Sequence, residues 1–239
     1  MTLRYIALYI DSDAGISKEF QNAFNYNTRF IGNYLSKKIR PFKVKTDGTF
    51  NMIAVAPSKS KIEECKIVGD KALLARVRFD AAYYNGLGPN EKNEYYLQLL
   101  ELGYSLCGKN KTIPIEVLLD LHNQFRAGDY KNEWLHKKKK FKEEGIEVFL
   151  KCFFTSEEFR LEMLIIDLTK NKEVASGVVL RTEPDEVHFD RLFKDVKIEG
   201  EKLIITEYLD RPKFEFRLGD LRNGQFSYTI KDVGLHYKG

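Results

Sequence analysis

Trp134-Leu-His-Lys-Lys-Lys-Lys-Phe-Lys-Glu-Glu-Gly-Ile-Glu147 is the stretch at which the chain changes character. Beyond it the apolar residues fall at every second position: Ile146, Val148, Leu150, Cys152 and Phe154, then Phe159, Leu161, Met163 and Ile165. Period two marks strands with one buried face. Further strand-like pieces follow at 174–180, 187–189, 196–198, 203–208, 214–218 and 226–230. Turn residues such as Thr169-Lys-Asn-Lys172, Glu199-Gly-Glu201 and Arg222-Asn-Gly224 separate them, so antiparallel hairpins are expected.

Before that stretch the period is helical. Ser17 is a cap, and Phe20, Phe24, Ile31, Leu35 and Ile39 recur at helical spacing up to Pro41, which predicts helical structure over 17–39. Two more helices are predicted. Pro89–Cys107 has a stripe of Tyr95, Leu99, Leu102 and Leu106, and Pro114–Arg126 has Ile115, Leu118, Leu119, His122 and Phe125. Residues 3–10 read as a buried strand. Asp47-Gly48 between Phe42–Val44 and Phe50–Val55 reads as a hairpin, and Leu73–Tyr83 alternates as a strand.

The fold class is therefore α+β, with an N-terminal mixed helix and strand lobe packed on a C-terminal, mostly antiparallel β lobe. The division expected is 1–132 and 133–239, with a single domain as the alternative. Lys and Arg outnumber Asp and Glu by 24 to 15 up to residue 142, and the balance reverses to 15 against 20 beyond it. The first lobe thus reads as basic and the second as acidic.

At 239 residues, 43% hydrophobic and with 17 Phe and 13 Tyr, the chain can bury a sizeable core, and its composition excludes a disordered protein. Cys65, Cys107 and Cys152 are odd in number and never in a Cys-x-x-Cys pair, so neither a disulfide framework nor a thiolate zinc site is expected. No stretch approaches the ~20 apolar residues that span a bilayer. The first residues do not read as a signal peptide. A cytoplasmic protein without membrane contact is the expectation.

Three constellations could carry chemistry. Asp11-x-Asp13 after an apolar strand could hold Mg²⁺ for phosphoryl chemistry, and in this it resembles the opening of haloacid dehalogenase-type phosphatases. Those enzymes also use a lysine and a later acidic metal site on a parallel sheet, and Gly69-Asp70 has no second acid beside it. The other reading of Asp11 and Asp13 is a turn that prepares a helix. Glu186-Val-His188-Phe-Asp190, read as one face of a strand, with His236 far downstream, resembles the facial triad of non-haem iron oxygenases. The chain carries no basic residue past His236 at the distance those enzymes use for their oxoacid. His122 reads as a hydrogen-bonded core histidine.

The third constellation is the cationic run itself. Trp134, His136, Lys137, Lys138, Lys139, Lys140 and Lys142 form a candidate binding surface. Lysines near an aromatic suit phosphates, yet Glu133, Glu143, Glu144 and Glu147 lie close by, and the overall pI of about 8.7 is modest. An edge strand guarded by lysines, or a dock for an acidic protein surface, fits better. No nucleophile elbow, phosphate-binding glycine loop or His-Glu-x-x-His occurs, and no cofactor is expected.

The chain accordingly reads as a non-catalytic, intracellular protein-binding protein of the inhibitor or toxin-neutralising immunity type, with an acidic protein as partner. The alternatives are a Mg-dependent phosphoesterase or nuclease using Asp11 and Asp13, and a nucleic-acid-binding protein using lysines 137–142.

Overall fold

The computed structural model describes residues 1–10, 16–59 and 64–231. The fold is α+β: helices with a mixed sheet in the N-terminal part, and antiparallel sheets in the C-terminal part. The chain divides into two compact units, Met1–Asn132 and Glu133–Gly239.

The first unit contains β1 (Tyr5–Leu8), α1 (Lys18–Ile39), β2 (Met52–Ser58), β3 (Glu64–Val68), β4 (Ala72–Arg78), α2 (Ala81–Gly86), α3 (Pro89–Gly108) and α4 (Ile115–Ala127). Its sheet runs in the order β1-β2-β4-β3. β1, β2 and β4 are mutually parallel, and β3 is antiparallel at one edge. Residues 53–58 of β2 are buried without a break, as expected for a strand covered on both faces.

Edge strand β1 has backbone groups with no neighbouring strand, and α1 supplies their partners. Ser36 Oγ accepts the Ile6 amide at 2.9 Å, Thr28 Oγ1 donates to the Leu8 carbonyl at 2.8 Å, and Asn25 Oδ1 accepts the Ile10 amide at 2.7 Å. Gly32 lies on the same stripe, where a Cβ would come within 2.9 Å of the Ile6 carbonyl oxygen. One helical face of small and polar side chains thus shields a strand edge that would otherwise template association.

The second unit has two four-stranded sheets. β5 (Asn132–Phe141), β6 (Ile146–Phe154), β7 (Phe159–Asp167) and β8 (Lys172–Thr182) form one, in sequence order. β9 (Asp195–Glu199), β10 (Lys202–Thr206), β11 (Pro212–Arg217) and β12 (Tyr228–Ile230) form the other, also between sequence neighbours, with α5 (Glu186–Phe189) and α6 (Leu218–Arg222) between strands. Gly145, Asn171 and Gly200 take positive φ at the hairpin turns, where glycine and asparagine are least strained. The alternating residues Val148, Leu150, Cys152, Phe159, Leu161 and Met163 are fully buried, as are Val196, Leu203 and Ile205 of the second sheet.

Four readings of the sequence need correction. The stretch 187–189 is not a strand: Asp185 accepts the Val187 amide and caps the one-turn helix α5, so local capping overrides alternation. Phe42–Val44 does not pair with Phe50–Val55. Phe42 ends a 3-10 turn, and β2 pairs in parallel with β1 and β4. The strand read over 73–83 stops at Arg78, because Asp80 accepts the Tyr83 amide and starts α2. In α3 the buried stripe is Tyr96, Leu97, Leu99, Leu100, Gly103, Tyr104 and Cys107, while Leu102 is 56% exposed. Packing on the sheet follows Gly103, the residue that lets the helix approach Val55.

Candidate functional site

The cationic run lies on β5, the terminal strand of its sheet. Pleating sends successive side chains to opposite faces, and each face meets a carboxylate. Lys137 and Lys139 reach Asp195 at 3.1 and 3.7 Å, and Lys138 and Lys140 reach Glu147 at 3.4 and 3.8 Å. Lys139 Nζ also donates to the Val196 carbonyl at 2.6 Å, and His136 Nε2 donates to the Lys194 carbonyl at 3.0 Å. Burial pushes the Asp195 carboxyl up, but the Val196 amide and the two ammonium groups outweigh it and hold the carboxyl below its ordinary range.

Trp134 and His136 face an aromatic stack. The Trp134 ring centroid is 6.1 Å from that of Phe159, and His136 meets Phe193 edge-on at 4.8 Å. Phe159 in turn stacks on Phe189 at 3.5 Å and on Phe193 at 5.6 Å. Lys142 is exposed in the turn to β6. Counted by unit, the lysine run belongs to residues 133–239, which hold 20 Lys and Arg against 21 Asp and Glu, while residues 1–132 hold 19 against 14. The second unit is therefore close to neutral rather than acidic.

The sequence gives little sign of what surrounds these lysines. The outward positions of β6, β7 and β8 present Phe149, Phe153, Leu164, Ile166 and Val178, all half-buried. Cross-strand register places Phe149 opposite Leu164, Phe153 opposite Arg160 and Lys151 opposite Glu162. Lys138 Nζ stands 5.0 Å from the Phe149 ring centroid, and Arg160 Cζ 5.0 Å from that of Phe153. A register shift between Leu161 and Glu162 disturbs the pairing with β8. A depression of about 320 Å³ opens there, lined in part by Lys151, Glu162, Leu164, Ser176 and Val178. The result is a sheet face of apolar side chains interleaved with cations and carboxylates.

The other sequence candidates are dispersed. Asp11, Asp13 and His236 lie outside the described residues. His188 is in α5, with Nδ1 3.7 Å from Glu183, and Asp190 is the exposed residue that follows the helix. Among the described residues no group of three or more His, Cys, Asp and Glu is placed to hold a metal ion. Asp70 is exposed in the turn between β3 and β4.

His122 is fully buried, with Nδ1 3.1 Å from Glu101 Oε1 and Nε2 3.4 Å from the Tyr104 hydroxyl. Nδ1 donates to the carboxylate and Nε2 accepts from the phenol, which is the neutral tautomer. Burial lowers the imidazole pKa, and Glu101 only partly offsets this. Arg126 spans Glu94 and Glu101 beside it.

Two cysteines widely separated in sequence also meet. Cys65 Sγ on β3 is 2.6 Å from Cys107 Sγ in the last turn of α3. A local reading could not show this, because the two positions are 42 residues apart.

Compared with known proteins, the chain matches no family, no curated protein and no solved structure. No helix among the described residues is long and apolar enough to cross a membrane.

Proposed function

We propose that the chain is a non-catalytic, cytoplasmic protein-binding protein of the inhibitor or toxin-neutralising type, and that it docks an acidic protein surface on the outer face of the β5–β8 sheet. The observation that supports this reading is the interleaving of Phe149 and Phe153 with Lys138, Lys140, Lys151 and Arg160 on one sheet face. Aromatic anchors carry much of the energy of protein interfaces, and flanking cations steer an acidic partner and select its register.

Affinity capture at low salt supplies the partner for a calorimetric titration of the purified pair. The reading expects a one-to-one complex that weakens as salt rises. It also expects at least a tenfold loss for Phe149→Ala combined with Lys138→Glu, with the melting temperature retained. Affinity indifferent to salt and to both substitutions overturns it, as does a chain that stays alone and monomeric in low-salt extracts.

One observation favours a second reading, the metal-dependent phosphoesterase. β1, β2 and β4 are parallel, so their carboxyl ends share one edge, where open α/β sheets bind ligands. Asp11 and Asp13 follow Ile10 in sequence. Titration with Mg²⁺ and Mn²⁺ tests it: absence of heat, with an unchanged response in Asp11→Asn, rules it out. The nucleic-acid alternative draws less support, because Glu147 and Glu162 share the sheet face with Phe149, Phe153 and the cations, a mixture that suits a protein surface better than a uniformly anionic phosphate backbone.

A further inference from the structure

The two sulfur atoms of Cys65 and Cys107 stand 2.6 Å apart, closer than van der Waals contact allows for unbonded sulfur and about half an ångström beyond a covalent S–S bond. They sit on two regular elements that pack on each other, a strand and a helix. β3 is held by its full antiparallel register with β4, in which Cys65 lies opposite Ala75. α3 is held by packing of its buried stripe, to which Cys107 belongs. The close approach therefore follows from the packing of helix on sheet and needs no loop to rearrange. Cys65 is partly exposed, whereas Cys107 is fully buried.

We propose that Cys65 and Cys107 form a reversible intramolecular disulfide, a modification site that pins edge strand β3 to the last turn of α3 when the surrounding thiol pool turns oxidising. The oxidant is a small-molecule disulfide of the glutathione type. Cys65 is the residue it can reach. The Cys65 thiol loses its proton and its thiolate attacks one sulfur of the small disulfide; the other sulfur leaves with the bonding pair and takes up a proton. Cys107, already in contact, then loses its proton, attacks Cys65 Sγ and displaces the second small thiol. Two protein thiols are oxidised, one small disulfide is reduced to two thiols, and the protein loses two hydrogens.

Lys111 favours the Cys65 thiolate, but burial dominates and pushes the thiol up; burial pushes Cys107 up as well. Exchange should accordingly take minutes to hours rather than seconds. In a reducing compartment the pair remains a dithiol.

The test uses the full reduced chain in native buffer. It is incubated with oxidised glutathione, quenched with acid, unfolded, alkylated with N-ethylmaleimide and weighed intact. The expected product is two hydrogens lighter, carries a single maleimide on Cys152, yields a proteolytic peptide joining Cys65 to Cys107, and regains three reactive thiols with dithiothreitol. In Cys65→Ser, Cys107 should stay unmodified over the same time. Stable glutathione on Cys65 with Cys107 alkylated, or three maleimides after prolonged oxidation, overturns the proposal. So does modification of Cys107 in folded Cys65→Ser at the wild-type rate.

Discussion

The hydroxyl of Ser36 accepts the amide hydrogen of Ile6 across 2.9 Å, and both residues are buried. A helix side chain thereby takes the place of a neighbouring strand. Ser36→Ala leaves that amide without its partner and away from water, which should cost about 1–3 kcal/mol. Urea denaturation would show this as a lower midpoint at unchanged slope; a midpoint equal to wild type would mean that the contact contributes nothing.

Gly103 makes a steeper demand. A Cβ there would lie 2.3 Å from Val55 Cγ2, and the valine side chain has little freedom to withdraw. Alanine improves helix propensity by about 1 kcal/mol, but overpacking costs about 1–3 kcal/mol, so Gly103→Ala should destabilise on balance. Adding Val55→Ala should give back part of the loss, and a double-mutant cycle measures how much.

His122 sets a pH dependence whose sign follows from its burial. Its folded-state pKa lies below the ordinary 6.5, so between the two values the unfolded chain binds the proton more readily. The contribution of neutral His122 is present in full above about pH 6.5 and is lost as pH falls through the folded-state value. Denaturation midpoints should drop on acidification below pH 6.5, and the imidazole resonances should titrate below the value of a free histidine. A resonance titrating at 6.5 or higher would contradict the buried neutral tautomer.

Asp195 and Glu147 offset two of the four charges of Lys137–Lys140, so removing both carboxylates should leave the strand more strongly cationic. Asp195→Asn with Glu147→Gln should strengthen binding to a heparin column or an unspecific DNA duplex. The slope of log affinity against log salt should steepen by roughly 0.9 for each phosphate newly contacted. An unchanged elution salt would show that the carboxylates do not mask the run.

Much of the fold was legible because it is written locally. Ser17 and the spacing from Phe20 to Ile39 announce α1, which spans Lys18–Ile39. Alternation from Ile146 to Ile165 announces the β6–β7 hairpin. What escaped was decided by distant partners or by single caps. Nothing near Met52 says that it pairs with Tyr5 and Ala72, and Asp185 turns an alternating segment into a helix with one hydrogen bond. At the candidate site the lysines were visible, but their carboxylate partners were not, since Asp195 lies 58 residues beyond Lys137. Trp134 and His136 looked like surface groups because the Phe159 stack that receives them comes from other elements.

The parallel pairing of β1 with β2 also bears on synthesis at the ribosome. Tyr5–Leu8 has no strand partner until Met52–Val55 has been made, and β2 must then wait for Ala72–Arg78. At ordinary elongation rates each wait lasts on the order of seconds. In the second unit every strand pairs with a sequence neighbour and can close as it emerges. The first unit therefore leaves an apolar strand without a strand partner for longer than any strand of the second unit, and exposes it for that time to aggregation and to chaperone capture. α1 is complete before β2, and its Ser36, Thr28 and Asn25 can occupy that strand in the interval.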